Sequence, residues 1–313
     1  MEIEAMCDVM VCLVGEQPVP NLLPIRHLKP STVVFAYSDK TEQVYKNLEQ
    51  FLNQNQRHLK IQVLSLKIDP YDILKAYADL KRFLAQFNQS SRQLIINVTG
   101  GTKPMSYAGF LVARDLKAIA VYLQSEGGAN LLHLYAFDES GGLIRVSTPQ
   151  QMRQMVTINE YLCLHGLEVS KQTEHADSFE RVVAEALKPH VSEIVGPVRV
   201  RPFSFTEKSP LEIDLIIRCG NTVGVAEIKR GEEEKKGIDQ LNTAASRDFL
   251  GTYVKRFYIR NKRMSSENME LAKARDIKVV VLESFSEDSP TLSPEDAELL
   301  KTEVLKGMGV KAD

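Results

Sequence analysis

Two carboxylates and a lysine are spaced so that they can meet on neighbouring strands. Asp214 lies on one apolar run, and after a short turn the next run carries Glu227 and Lys229. Side chains alternate between the faces of a strand, so Glu227 and Lys229 share a face and Asp214 can stand beside them. Such carboxylates bind Mg²⁺ or Mn²⁺, and a nearby lysine can orient or deprotonate a water that attacks a phosphodiester. The backbone carbonyl of Ile228 is a further candidate metal ligand.

The same residues also fit an ordinary half-buried hairpin with charges on its exposed face. The apolar neighbours, such as Leu215, Val225 and Ala226, favour a site, because carboxylates in a buried sheet are costly without a reason. Glu180 on a preceding predicted helix and Gln240 on a following one lie where a nucleic-acid cleft needs polar groups.

A second cluster lies where the fourth predicted strand ends and a helix begins, at Thr99, Gly100, Gly101, Thr102 and Lys103. The glycines let the backbone approach a ligand, and the helix N-terminus favours an anion. The threonine hydroxyls and the lysine add donors and charge. This chemistry suits a phosphodiester, although a simple tight turn with an N-cap threonine has the same pattern.

This turn is neither a Walker A loop nor a dinucleotide fingerprint, because GxxxxGK[ST] and GxGxxG are both absent. The loop from Gly15 to Asn21 and the turn from Ser38 to Thr41 follow the first and second strands. Ligands bind at the carboxyl ends of parallel strands, so these segments can complete one pocket with the glycine turn.

The elements that position these residues alternate between β-rich runs and segments of helical period, which predicts an α/β protein. In the first half the predicted strands are 9–14, 32–36, 61–66, 94–98 and 119–123, followed by an antiparallel hairpin at 131–137 and 143–146. Amphipathic helices are predicted from Thr41 and from Tyr71.

Three ranges are predicted: a sensing domain at 1–148, a connecting helix at 149–172 and a second domain at 173–313. The connecting helix is inferred from Met152, Met155, Ile158, Tyr161 and Leu162 at helical spacing. The second domain is predicted as mixed α/β. Its helices are predicted at 177–187, 235–248, 265–274 and 294–305, and its strands at 194–200, 211–218, 223–229, 253–259 and 278–282.

Composition excludes several classes. The 313 residues, with 43% hydrophobic and 26% charged side chains, predict two globular domains and exclude a disordered chain. No apolar run reaches membrane-spanning length and the first residues lack a secretory pattern, so a cytoplasmic protein without a membrane segment is expected. The net charge is −2, but residues 218–263 hold eleven bases and six acids, which suits a phosphate backbone or simply a solvated face.

The first half resembles the CARF domains of type III CRISPR effectors, through its Rossmann-like pattern and the run Asn-x-Thr-Gly-Gly-Thr-Lys. The resemblance implies a homodimer whose two pockets hold a cyclic oligoadenylate. The phosphates and riboses would lie against Thr99 to Lys103. The adenines would lie near Gly15, Glu16 and Asn21.

The second half resembles the PD-(D/E)xK restriction-endonuclease-like nucleases, through its helix, the D…ExK hairpin and the following helix. The resemblance implies Asp214 and Glu227 as metal ligands, Lys229 as catalytic lysine, Glu180 as accessory acid and Gln240 as a helper. Ile213, and not the proline of the PD-(D/E)xK motif, precedes Asp214. Glu212 lies on the opposite face and is not expected to be a ligand.

The two resemblances together imply a nuclease of type III CRISPR defence that is activated by cyclic tetra-adenylate and uses Mn²⁺ or Mg²⁺. Its expected substrates are single-stranded or supercoiled DNA and possibly RNA. One alternative is a sensor or ring nuclease whose C-terminal domain only binds nucleic acid. A restriction enzyme is disfavoured, because no further domain is left to recognise a DNA sequence.

Overall fold

The computed structural model describes residues 7–55, 60–87, 93–126, 129–153, 156–174, 177–203, 211–232, 234–288 and 290–310. The chain forms two compact units. The N-terminal unit contains residues 1–125 and 129–155, and the C-terminal unit contains 126–128 and 156–313. None of the helices within the described ranges is long and apolar enough to span a membrane.

The N-terminal unit is built on one sheet of eight strands, in the order β3-β2-β1-β4-β5-β6-β7, with β8 paired to β6. Strands β1 to β5 are Val9–Leu13, Thr32–Tyr37, Gln62–Lys67, Leu94–Asn97 and Ile119–Glu126. Strands β6 to β8 are Ala129–Phe137, Leu143–Arg145 and Gln150–Gln151. The first five lie in parallel order and β7 pairs antiparallel to β6, as predicted. This confirms the Rossmann-like arrangement.

Within its described residues this unit has the α-helices α1 (Val19–Leu28), α2 (Glu42–Gln54), α3 (Ile73–Leu84) and α4 (Lys103–Asp115). Helices α3 and α4 pack their apolar faces on β1, β2 and β4 around residues such as Leu80 and Val112. Helix α1 corrects the interpretation of 15–21 as one polar loop, since the helix already begins at Val19. Pro20 is tolerated there because the first turn of a helix needs no N–H.

The order in which successive strands are added to the sheet changes side between β1 and β4. β2 and β3 lie on one side of β1, whereas β4 and β5 lie on the other. In open parallel sheets this switch point leaves a crevice at the carboxyl ends of the two strands. The segment after β1 begins at Val14 and Gly15, and the segment after β4 contains the glycine turn. Both predicted parts of the ligand pocket therefore lie at the switch point.

The prediction of a continuous helix through residues 152–162 is wrong. The only helix in this segment that the structure describes is α5 (Ile158–Leu164), which Thr157 caps by accepting a hydrogen bond from the Glu160 N–H. Residues 150–151 form β8, Met155 lies outside the described residues, and Leu167–Gln172 form β9. Ile158, Tyr161 and Leu162 are buried, as their spacing indicates.

The C-terminal unit contains two further sheets. A sheet of five strands has the order β10-β13-β14-β15-β16, and a sheet of three has the order β12-β11-β9. Strands β10 to β13 are Glu193–Val195, Val198–Pro202, Leu211–Ile213 and Leu215–Cys219. Strands β14 to β16 are Thr222–Lys229, Lys255–Arg260 and Ile277–Val281. The pairs β14·β15 and β15·β16 are parallel, and β10·β13 and β13·β14 are antiparallel.

Helices cover both faces of the five-stranded sheet. On one face α6 (Ser178–Leu187) and α10 (Pro294–Gly307) form a core with β13 to β15, and the fully buried Phe179 and Leu300 come from these helices. On the other face α7 (Lys235–Ala244) approaches β15 so closely that a Cβ on Gly237 would lie 2.4 Å from the Tyr258 hydroxyl oxygen. Helices α8 (Arg247–Leu250) and α9 (Ser266–Ala274) complete the unit.

Two predicted strands are each divided between the two sheets. The run 194–200 becomes β10 and β11, separated by Gly196, and the run 211–218 becomes β12 and β13, separated by Asp214. Val195 pairs with Ile216 in the five-stranded sheet, and Val198 pairs with Ile213 in the three-stranded sheet. Both segments therefore pass from one sheet to the other at the same place. Asp214 therefore lies at the junction of the two sheets.

Gly196 is required at this crossing. Its φ is 152°, and a Cβ would lie 2.1 Å from the Asp214 carbonyl oxygen. We expect Gly196→Ala to lower the free energy of unfolding by about 3 kcal/mol, from backbone strain together with overpacking. Urea denaturation monitored by circular dichroism measures this change.

Gly231→Ala is the matched control for that substitution. Gly231 also has a positive φ, 85°, but nothing lies within 4 Å of its Cβ position. The free energy of unfolding of Gly231→Ala should fall by about 1 kcal/mol, because only backbone strain is added. Equal losses in the two variants would show that the crossing at Asp214 imposes no steric requirement.

Candidate functional site

The three residues predicted on the hairpin come together in the C-terminal unit. Asp214 and Glu227 are 7% and 4% exposed. The Lys229 Nζ lies 2.8 Å from the Glu227 Oε1 and 3.4 Å from the Asp214 Oδ2. Strand β14 places Glu227 and Lys229 on one face, and the junction between β12 and β13 turns Asp214 toward them. The predicted convergence of two carboxylates and one ammonium is therefore present.

Asp214 is held by the backbone as well as by the lysine. The Ile228 N–H donates to the Asp214 Oδ2 at 2.7 Å, in a buried hydrogen bond. A residue in a strand directs its N–H and C=O to the same side of the strand. We therefore expect the Ile228 carbonyl to point toward the side of Asp214, as a backbone metal ligand would require.

Burial shifts the titration of all three groups. It raises the pKa of Asp214, against the lowering effect of Lys229. Burial, and then the charge of Asp214, raises the pKa of Glu227 to about 7. Burial alone would lower the pKa of Lys229, but the charges of the two carboxylates outweigh it and the pKa is raised. Without a metal, Lys229 therefore favours the protonated form, and its ammonium contacts both carboxylates.

Glu180 reaches the same site from helix α6. It is 4% exposed, and its charge contributes to raising the pKa of Glu227. The helix begins beside the site because Asp177 caps it, accepting from the Phe179 and Glu180 N–H groups at 2.8 and 3.1 Å. The other oxygen of Asp177 accepts from Arg230 Nε at 2.8 Å. Arg230 follows Lys229 directly, so this contact ties the end of β14 to the start of α6.

The sequence interpretation did not identify Asp177 and Arg230. An aspartate before a helical run is a recognisable N-cap signal, but its second contact comes from a residue 53 positions away. Gln240, which was predicted as a helper, lies on an exposed position of α7. The structure gives no contact that brings Gln240 to Asp214, Glu227 or Lys229.

The donor atoms at this site suit a hard divalent cation. Asp214, Glu227 and Glu180 supply carboxylates, and the Ile228 carbonyl is a fourth oxygen, which is the ligand chemistry of Mg²⁺ and Mn²⁺. Within the described residues no three His, Cys, Asp or Glu side chains are already grouped around a single metal position. Lys229 contacts both central carboxylates, so an incoming cation would share them with the ammonium.

The predicted phosphate-binding turn is packed tightly on the end of β1. A Cβ on Gly100 would lie 2.2 Å from the Leu13 carbonyl oxygen, and one on Gly15 would lie 3.0 Å from the Gly101 nitrogen. Gly101 has a φ of 75°. These three glycines let the loops after β1 and β4 meet backbone to backbone, which larger residues would prevent. Glu16 lies beside them and is exposed.

Asn97, the last residue of β4, joins the two loops. Its Nδ2 donates to the Asn21 Oδ1 at 3.2 Å and to the Pro20 carbonyl at 3.1 Å. That carbonyl lacks its helical donor, because Pro24 four residues later has no N–H. The Asn97 Oδ1 accepts from the Thr99 backbone N–H and hydroxyl. Asn21 is fully buried and its Nδ2 has no partner, so it lies beneath the pocket and not at its surface.

The two threonines of the turn have internal partners. The Thr99 hydroxyl donates to Asn97 and accepts from the Leu123 N–H at 2.8 Å. The Thr102 hydroxyl donates to the Pro70 carbonyl and accepts from the Met105 N–H, which caps α4. Their hydroxyls therefore shape the turn. Lys103 is exposed on the first residue of α4, where the helix N-terminus favours an anion.

The loops after β2 and β3 lie on the same edge of the sheet. The Lys40 Nζ contacts the Tyr71 hydroxyl at 3.2 Å, and it lies 5.9 Å from the centre of the Tyr71 ring. The sequence predicted a contribution from the turn at Ser38 to Thr41 but none from Tyr71, which is 65% exposed. This exposed ring and the lysine therefore lie on the same edge of the sheet as the glycine turn.

The N-terminal unit matches a known domain family. Residues 9–161 match the model of the Card1 CARF domain. Over these residues the chain is similar to the CARF domain of Card1. The match includes the glycine turn and the loop after β1, which confirms the resemblance inferred from those residues. No curated protein matches the sequence of the whole chain.

Solved structures have the same fold over nearly the whole chain. Can2 from Sulfobacillus thermosulfidooxidans in complex with cyclic tetra-adenylate matches with a TM-score of 0.70 and 15% identity, over 96% of this chain and 99% of its own. Protein VC1899 from Vibrio cholerae matches with a TM-score of 0.72 and 11% identity, over 97% and 99%. A type III CRISPR defence DNA nuclease activated by cyclic oligoadenylate matches with a TM-score of 0.58 and 15% identity, over 95% of this chain and 52% of that one. The predicted pairing of a CARF domain with a nuclease-like α/β domain is confirmed at the level of the fold.

Removal of the shared ammonium tests how this site is held together. Lys229→Met leaves two buried carboxylates without their counter-ion, so we expect the metal-free variant to lose about 3 kcal/mol of unfolding free energy. Mn²⁺ should then raise the melting temperature of the variant more than that of the unmodified protein, because no ammonium competes for the carboxylates. Thermal and urea unfolding, each with and without Mn²⁺, measure both effects.

Lys278→Met is a control in the same unit, because Lys278 pairs with Glu303 at 2.7 Å where both side chains are about 30% exposed. Lys278→Met should lose less than about 1 kcal/mol of unfolding free energy, and Mn²⁺ should not restore this loss. If Lys229→Met behaves like Lys278→Met, the ammonium is not the counter-ion of a buried carboxylate pair.

Proposed function

We propose that this chain is a metal-dependent nuclease of type III CRISPR antiviral defence that is activated by cyclic tetra-adenylate. The observation that carries the proposal is the buried pair Asp214 and Glu227, clamped by Lys229, in a chain whose other unit is a Card1-type CARF domain. A pure binding module has no need to bury two carboxylates around one ammonium. The fold shared with Can2 and with a CRISPR DNA nuclease supports the same assignment.

The ligand site of the CARF domain is proposed at the switch point between β1 and β4. The helix N-terminus at Lys103 and the close backbone of Gly100 and Gly101 suit the phosphates and riboses of a cyclic oligoadenylate. Gly15 and Glu16 lie on the opposite loop, near the proposed adenine positions. Can2 was solved with cyclic tetra-adenylate, which supports this ring size for the activator.

In the second unit, Asp214, Glu227 and the Ile228 carbonyl would hold Mn²⁺ or Mg²⁺, with Glu180 as an additional acid. A bound cation supplies charge stabilisation for the phosphorane and lowers the pKa of a coordinated water. Lys229, which contacts both carboxylates, would orient or deprotonate the attacking water. Gln240, exposed on α7, is proposed to contact nucleic acid beside the site. The substrates proposed are single-stranded or supercoiled DNA and possibly RNA.

Activation requires that the ligand distinguish two states of the protein. A ligand shifts a conformational equilibrium only by as much as its affinities for the two states differ. We propose that a homodimer, with its two CARF pockets meeting on the twofold axis, binds cyclic tetra-adenylate more tightly in the state that cuts. The coupling is thus a difference in binding free energy between sites, with no contact between them implied.

Cleavage of plasmid and single-stranded DNA with Mn²⁺, with and without cyclic tetra-adenylate, tests the proposal. We expect cutting only with the ligand, and Glu227→Gln should lower the rate at least about a hundredfold because a metal ligand is lost. The matched control is Glu212→Gln. Glu212 is exposed on β12, two residues before Asp214, and lies 3.6 Å from Arg199, so its loss should leave cutting unchanged.

Other outcomes separate the alternatives. Shortening of cyclic tetra-adenylate without any cutting of DNA or RNA would identify the protein as a ring nuclease, whose second unit only binds nucleic acid. Cutting that survives in Glu227→Gln would remove this carboxylate from the site. Cutting that does not depend on the ligand would refute the proposed activation while leaving the nuclease in place.

Ligand binding is tested separately through Lys103. Lys103→Ala removes an exposed charge at the start of α4, and we expect cyclic tetra-adenylate to bind about tenfold more weakly, as loss of one charged contact implies. Isothermal titration calorimetry measures the affinity. Lys46→Ala removes a lysine that pairs with Glu42 on α2, and it should bind the ligand normally. Equal affinities for all three proteins would exclude Lys103 from the ligand site.

A further inference from the structure

One arginine lies directly beside the proposed catalytic lysine. Arg260 is the last residue of β15, and it pairs in register with Lys229 at the end of the parallel strand β14. Side chains at paired positions of neighbouring strands lie on the same face, about 5 Å apart. Glu227 and Lys229 therefore lie along β14 on the same face as Arg260, and Lys229 and Arg260 lie side by side at the carboxyl ends of the two strands, where open α/β sheets bind ligands.

The guanidinium of Arg260 is buried without enough partners. Arg260 is 1% exposed, yet its Nε and Nη1 have no hydrogen-bond acceptor. Its Nη2 donates to the Gly231 carbonyl at 2.6 Å. Leaving buried N–H donors unpaired costs about 1 to 3 kcal/mol each, and more for a charged group. The guanidinium also lies 5.4 Å from the centre of the Tyr258 ring, which gives these two N–H groups no acceptor, and a bound anion is one explanation for such a group.

The carboxylate of Glu234 does not satisfy these donors. The Glu234 Oε1 lies 3.7 Å from the Arg260 Nη1, beyond hydrogen-bond distance. Glu234 is instead engaged by the Ser265 hydroxyl and the Asn268 side chain, at 2.8 and 2.6 Å. The Glu234 carboxylate lies on the Nη1 side of the guanidinium, but it accepts no hydrogen bond from it.

Two other arginines of the same unit, the half-buried Arg256 and the buried Arg218, behave differently. Arg256 lies four residues earlier on the same face of β15, and its donors reach the carbonyls of Ala245 and Arg275 at 2.6 to 3.2 Å. Arg218 is bonded to Glu193 and to the Gly220 carbonyl. Among the arginines that the structure describes, Arg260 is the one with buried N–H groups that lack an acceptor.

We propose that Arg260 binds the scissile phosphate of the nucleic-acid substrate through the edge of its guanidinium that carries the unpaired Nε–H, beside Lys229. The inference rests on the proposed nuclease function and extends it. The Nε–H shares that edge with one N–H of Nη2, whose other N–H serves the Gly231 carbonyl, and this edge matches two oxygens of a phosphate in a bidentate contact, which a lysine cannot make. Lys229 then orients the water while Arg260 neutralises the non-bridging oxygens, whose charge grows during attack.

The phosphate contact is tested first without catalysis. Inorganic phosphate is titrated against chloride at equal ionic strength, in metal-free protein carrying Lys103→Ala so that the CARF turn contributes less. We expect phosphate to raise the melting temperature of this protein, and the increase to disappear with Arg260→Met. The control is Arg275→Met, at the opposite end of the sheet, where Arg275 pairs with Asp239 at 2.5 Å; it should retain the increase.

Cleavage kinetics supply the second measurement. With the ligand and Mn²⁺, kcat/KM of Arg260→Met should fall at least about a hundredfold, mostly in kcat, because the contact strengthens in the transition state. Arg260→Lys keeps the charge but not the bidentate edge, so it should recover stability and only a small part of the rate. It also keeps the test decisive if the methionine variant does not fold.

The two proposals fail in different ways. If the unmodified protein does not cut but phosphate stabilises it through Arg260, the nuclease proposal fails and the phosphate site stands. If the unmodified protein cuts and folded Arg260→Met or Arg260→Lys cuts at the same kcat and KM, Arg260 is structural and this inference is overturned. An equal response of Arg260→Met and Arg275→Met to phosphate overturns it as well.

Discussion

Two buried carboxylates and one ammonium set the main constraint on the C-terminal unit. Asp214 and Glu227 are nearly inaccessible to water, and each is tolerated because Lys229 reaches both. Bringing Asp214 to that point requires the chain to change sheets at this residue. The change in turn requires Gly196, whose missing side chain leaves room for the Asp214 carbonyl. The pairing of charges at the site therefore depends on the same change of sheet that sets the topology of this unit.

Both candidate sites are held by residues that do not face a ligand. In the CARF domain Asn97 joins the loop after β4 to the start of α1, using a carbonyl that Pro24 leaves without a helical donor. In the other unit Asp177 caps α6 and also accepts from Arg230. Such contacts hold polar groups in place before a ligand arrives, which lowers the ordering entropy that binding requires. Among the residues that the structure describes, Lys103 is exposed at the start of α4, and Arg260 keeps two buried N–H groups without an acceptor.

The sequence interpretation was most accurate where a pattern and its cause lie close together in the chain. The parallel strands β1 to β5 and helix α6 follow from apolar periodicity and cap residues. It was wrong for the continuous strand at 194–200, because alternation of apolar residues continues unchanged while the partner strand changes. It was also wrong for the helix through residue 152, and it missed β9, whose pairing with β11 is long-range.

By itself the sequence determined the residue types that can do chemistry and the face of the strand on which they stand. Alternation along β14 is local, so Glu227 and Lys229 share a face whatever the rest of the chain does. Only the tertiary structure decided that Asp214 sits at a sheet junction, that the hydroxyls of Thr99 and Thr102 have internal partners, and that Gln240 is exposed. It also decided the place of Arg260, because register between parallel strands depends on the packing of both strands and not on either run of residues alone.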